Sequence, residues 1–176
     1  MPPIAAFGIS VVFSLIAWGV VAARYVWPEL RRQKVADALR PILILHSFRF
    51  LGLAFIVPGV VSPDLPIGFA RMDAYGDFVT AILALLALAA LRSRFGLASV
   101  WAFNLWGTVD LLNAFYQGNR HGMVPGQLGA AYFIVTLFVP LLLITHALAF
   151  RLLIQRDSVA TVRDTAIDQG RGLANA

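Results

Sequence analysis

Six polar side chains lie in otherwise apolar stretches and have types and spacing suited to chemistry. They are His46, Arg49, Asp110, Asn113, Gln117 and His146. An ionisable group in a hydrocarbon segment is expensive, and by default it marks a functional site. His46, Arg49 and Leu53 follow the i, i+3, i+7 spacing of one helical face, as do Asp110, Asn113 and Gln117 in "NLWGTVDLLNAFYQG". Thr136, Val139, Leu143, His146 and Phe150 line another stripe. An unpaired carboxylate in such surroundings would take up a proton, so a charged Asp110 requires a partner, and Arg49 is the candidate. Arg49 would either hold Asp110 charged or fix an anionic group. Asp110 or a histidine would carry a proton, and Asn113 and Gln117 would extend a polar lining.

This chemistry gives three readings. The first is binding or transport of a small molecule through a pocket inside the membrane. The second is a haem b electron carrier. His46 and His146 lie on different segments, as a bis-histidine iron requires, and Arg49 stands one turn from His46 to pair with a propionate. The third is a scaffold or accessory subunit of a membrane complex. Beyond haem, the residues specify no cofactor, and an enzymatic reaction is disfavoured.

The elements that must position these groups are membrane spans. The chain has 176 residues, 60% of them hydrophobic and 13% charged, with a mean hydropathy of +0.79. Soluble domains carry about 25% charged residues, so most of this surface faces lipid or other helices. A span needs about 20 mainly apolar residues. Five segments qualify, at 4–26, 41–61, 75–91, 97–116 and 130–153, followed by a polar tail over 155–176. The expected fold is an all-α bundle of five transmembrane helices in one domain, 1–154. The first segment lacks a basic leader and is long for a signal peptide, so it reads as a retained helix.

The positive charge sorts to one side. The first and third connections and the tail hold most of the Lys and Arg, while the opposite side has only Arg71 and Arg120. The positive-inside rule then predicts an external N-terminus and a cytoplasmic C-terminus, in a bacterial-type inner membrane. The net charge of +5 reflects this topology, not nucleic-acid binding. The expected partners are the bilayer, an unidentified small molecule, and further copies or subunits.

Depth decides which polar groups can meet. At 1.5 Å per residue, His46 lies about 7 Å from the cytoplasmic surface, and Arg49 and His146 about 12 Å. Asp110 and Asp77 lie about 20 Å deep, within reach of an extended arginine. Asp77, near the start of its span, reads as a helix cap. Asn104 is offset from Asp110 by about a third of a turn and fits the pocket less well.

Absences narrow the classes. Cysteine is missing, so thiolate sites and disulfides are excluded. There is no GxSxG, HExxH or phosphate-binding glycine loop. No lysine lies in a span to hold retinal, and there is no arginine ladder or TVGYG filter. "FNLWG" resembles the aromatic-rich fourth helix of the TspO translocator family. The Trp- and Pro-rich pattern of that family is missing from "PILILHSFRFLGLAFIVPGVV", so no site is carried over.

Overall fold

The computed structural model describes residues 1–155. These residues are mostly helical, with no strand among them. The expectation of a polar tail over 155–176 therefore falls almost wholly outside the described residues. Five long helices follow in order: α1, Pro3–Leu30; α2, Val35–Ile56; α3, Ile67–Ala90; α4, Gly96–Arg120; and α5, Ile134–Gln155. Four of them, α1, α2, α3 and α5, are long and apolar enough to cross a membrane. Helix α4 has 25 residues, about 37 Å at 1.5 Å per residue. It has the length but not the composition, because amides and Asp110 interrupt its apolar run.

Prolines shape two helices. A wide π turn over Ala22–Val26 precedes Pro28 in α1, and another over Ile134–Phe138 precedes Pro140 in α5. Proline cannot donate to the carbonyl one turn back, and a wide turn absorbs the lost bond without breaking the helix. The Trp18 indole donates to the Leu137 carbonyl within the second of these turns, at 3.1 Å.

Helix α2 changes its winding where it matters most. It is α-helical over Val35–Ser47 and tightens to a 3₁₀ helix over Phe48–Ile56. With three residues per turn, positions i, i+3 and i+6 stack on one side. The buried residues there are Arg49, Gly52 and Phe55. This corrects the expectation that Leu53 follows Arg49 inward. The α-helical spacing does not hold past Ser47.

Helix α3 begins at Ile67, eight residues before the expected start at 75. Asp77 is therefore well inside the helix and does not cap it. Its buried stripe runs Phe69, Ala70, Ala74, Asp77, Thr80, Ala81, Ala84 and Ala87. The alanines let α2 and α4 approach closely, as small residues do between membrane helices.

Two apolar clusters close the bundle at its ends. One gathers Leu39, Leu43, Ala84, Val100, Phe103 and Leu152, and the other Phe55, Leu65, Phe69, Ala74 and Leu128. A polar layer lies between them. It contains His46, Arg49, Asp77, Thr80, Asn104, Thr145 and His146, all buried. Helix α1 stands at the edge, with Phe13, Ile16 and Val20 exposed. An apolar surface of this kind suits lipid and not water.

Close packing makes a stability prediction. A Cβ added at Gly107 would lie 2.6 Å from the His146 ring and 2.8 Å from Thr80 Cγ2, whereas one at Gly19 meets nothing within 4 Å. Thermal unfolding in detergent should show Gly107→Ala destabilised by about 1–3 kcal/mol, the usual cost of overpacking. Gly19→Ala should be neutral or gain up to about 1 kcal/mol, as Gly-to-Ala changes do inside helices. Equal melting temperatures for the two variants would contradict this packing.

Candidate functional site

The site is built around one guanidinium. Arg49 projects from the 3₁₀ segment of α2 with its side chain fully buried. An arginine has five N–H donors and no acceptor, and here four hydrogen bonds and one further ion-pair contact engage them. Nε donates to Asp77 Oδ1 at 2.7 Å. One Nη1 proton reaches the Gly107 carbonyl at 3.1 Å, and the other reaches His146 Nε2 at 3.3 Å. Nη2 donates to Asp110 Oδ2 at 2.7 Å and also pairs with Asp77 Oδ1. The expected pairing of Arg49 with Asp110 is therefore present, and Asp77 joins it as a second carboxylate.

Glycines make room for these partners. Gly52 lies against Asp77, Gly76 against Asp110 and Gly107 against the His146 ring. A side chain at any of these positions would collide with the group opposite. Three helices thus contribute both a charged or polar group and the gap that receives one.

The histidine tautomers follow from their neighbours. Asn104 Nδ2 donates to the His146 carbonyl at 3.3 Å, which leaves Asn104 Oδ1 as acceptor. His146 Nδ1 therefore donates to Asn104 Oδ1 at 2.7 Å, and its Nε2 accepts from Arg49. The Thr145 hydroxyl spends its proton on the Leu141 or Leu142 carbonyl, so it accepts from His46 Nε2 at 2.9 Å. His46 Nδ1 is left buried without a hydrogen-bond partner.

This packing corrects the haem expectation. The His46 and His146 rings touch, with centroids 4.2 Å apart. A bis-histidine haem needs both rings aimed at one iron across a macrocycle. Here one Nε2 is aimed at Thr145 and the other at Arg49, with no gap between the rings. No group of three or more metal-ligating side chains occurs among the described residues.

Of the six residues proposed from sequence, four form one connected layer: His46, Arg49, Asp110 and His146. Asn113 and Gln117 lie beside it. Asn113 Nδ2 donates to Met72 Sδ at 3.0 Å, and both residues line a narrow crevice with Asp73 and Asp110. Sequence reasoning missed four members, Asp77, Thr80, Asn104 and Thr145. Asp77 was hidden by the misplaced start of α3. Asn104 does turn away from Asp110, but it turns toward His146 and is fully buried there.

A cavity of about 240 Å³ lies next to the layer, at the end of the bundle where α1 and α3 begin and α4 ends. Asp73 and Asp77 line it, among walls that include Phe7, Phe69, Phe115 and Met123. A separate open groove of about 500 Å³ runs along the surface between α3 and α4, past Tyr75, Trp106 and Asp110.

Residues 6–154 match the family described as Domain of unknown function (DUF8737). The chain belongs to this family. The match covers the helical bundle nearly from end to end, so the polar layer and all of the cavity lining except Ile4 lie within the family's domain. No curated protein and no solved structure matches the chain.

The bonding of Arg49 predicts what its loss does. Arg49→Ala leaves Asp77 and Asp110 buried together without a counter-ion. Breaking a buried ion pair from one side costs about 3–5 kcal/mol, so the variant should unfold in detergent at a markedly lower temperature. Adding Asp77→Asn and Asp110→Asn to Arg49→Ala should recover part of the loss. A triple variant no more stable than Arg49→Ala would mean that the carboxylates are not the source of the cost.

Proposed function

We propose that this protein crosses the cell inner membrane five times and binds or transports a small molecule at the polar layer and its adjoining cavity. The N-terminus is outside and the C-terminus cytoplasmic. Helix α4 is the fifth span. Its low hydropathy comes from groups turned inward, because Asn104, Gly107 and Leu111 are buried while Leu105, Trp106, Val109, Leu112 and Phe115 are exposed. A helix with an apolar outer face and satisfied inner polar groups is stable in a bilayer.

The observation that carries the binding reading is the cavity lined by Asp73 and Asp77, with Asp77 clamped by Arg49. Membrane helices rarely keep carboxylates beside unfilled space without a functional reason. In this reading Arg49 holds Asp77 and Asp110 ionised and in place. His46, His146 and Asn104 fix its far side, and Asn113 and Gln117 line the approach.

A second reading, a scaffold or accessory subunit, draws support from the same bonding. An arginine bonded to three other helices also serves as a helix lock. Copurification of stoichiometric partners, together with no response to any small molecule, would favour that reading.

Two measurements test the proposal. The chain has no cysteine, so single cysteines can be introduced directly. An impermeant maleimide should label Ala5→Cys and His121→Cys in intact cells, but Ser93→Cys and Ala174→Cys only after lysis. Labelling of positions 5 and 174 from the same side would rule out five spans. In detergent, small amphiphiles of all charge types should be screened for thermal stabilisation. At least one should stabilise the wild type and lose that effect in Ala114→Trp, which fills the cavity. A screen with no such compound would remove the binding reading.

A further inference from the structure

The cavity's own groups determine the charge of what it can hold. Its polar lining is Asp73, Asp77 and Asn119, with no basic side chain. Arg49, the guanidinium of the layer, is fully buried, makes four hydrogen bonds and a further ion-pair contact with Asp77, and does not line the cavity, so it is not presented to an anionic ligand there. The carboxylates are also in excess. Asp77 and Asp110 share one guanidinium, and Asp73, one turn before Asp77 on α3, has neither an ion pair nor a side-chain hydrogen bond. The rest of the wall is hydrocarbon and aromatic ring, from Phe7, Phe69, Phe115 and Met123. Aromatic faces attract cations as well as apolar groups.

Size limits the occupant further. At about 240 Å³ the cavity is smaller than the usual sites for drug-sized ligands, which run to about 300–1,000 Å³. It could hold roughly eight waters at about 30 Å³ each. An inorganic ion would leave the apolar walls uncovered.

We propose that this cavity binds a small organic cation, a protonated amine on an apolar body, with Asp73 as its counter-ion and the aromatic wall around its hydrocarbon part. This rests on the reading of the cavity as a ligand site and adds the class of ligand.

The test uses three compounds of one shape on the detergent-purified full chain: phenethylammonium, phenylacetate and 2-phenylethanol. Phenethylammonium should raise the melting temperature and bind saturably. The other two should do neither at the same concentrations. Asp73→Asn should weaken phenethylammonium binding at least tenfold, Asp73→Glu should retain most of it, and Ala114→Trp should abolish it. The comparison among the three compounds on the wild type stands even if one variant fails to fold. A response to phenylacetate or phenylethanol that matches or exceeds phenethylammonium, and that Ala114→Trp removes, would overturn the charge assignment and leave the cavity reading intact. No response to any of the three would overturn both. Stabilisation by sodium chloride equal to that by phenethylammonium would also overturn the proposal, because the site would then take an inorganic ion.

Discussion

A guanidinium buried in an apolar bundle must find an acceptor for each of its five N–H groups, because no water is there to take them. In this protein that requirement falls on Arg49, and three other helices supply its acceptors. Asp77 comes from α3, Asp110 and the Gly107 carbonyl from α4, and His146 from α5. Four helices are thereby tied to one side chain. Their relative heights and rotations are constrained together, since moving any one of them away would cost the buried guanidinium an acceptor.

Local features that look unrelated follow from this constraint. The 3₁₀ winding of α2 stacks Gly52 one turn beyond Arg49, which opens the space that Asp77 fills. Gly76 and Gly107 do the same for Asp110 and His146. Asn104 fixes the tautomer of His146 so that its Nε2 presents a lone pair to the arginine. Each of these residues is polar or small in a position where a lipid-facing helix would use leucine. The polar character of α4 is therefore the cost of supplying acceptors inside the bundle, while its outer face remains apolar.

The same bonding separates two roles that a polar membrane cluster can combine. Arg49 positions and neutralises, and it is fully buried and does not line the cavity. Any binding capacity passes to the groups beside it, where Asp73 and Asp77 meet the apolar cavity. The polar lining of that cavity is two carboxylates and one amide, with no basic side chain.

The long apolar runs by themselves pointed to helices long and apolar enough to cross a membrane, because about 20 consecutive apolar residues satisfy their own backbone as a helix. The spacing of charged residues also placed Asp110 within reach of Arg49, since depth along a helix is fixed by its rise per residue, and the packing of the helices then brought the two together. The tertiary structure alone decided the rest. Asp77 entered the layer because α3 starts at Ile67, and sequence periodicity locates helix ends poorly. The 3₁₀ segment replaced Leu53 with Gly52, a choice set by what α3 presents and not by the propensity of α2. The contact between the His46 and His146 rings closed the gap a haem would need, which spacing along two separate helices could not reveal. Whether two side chains at one depth face each other depends on helix rotation, and rotation is settled by packing against neighbours.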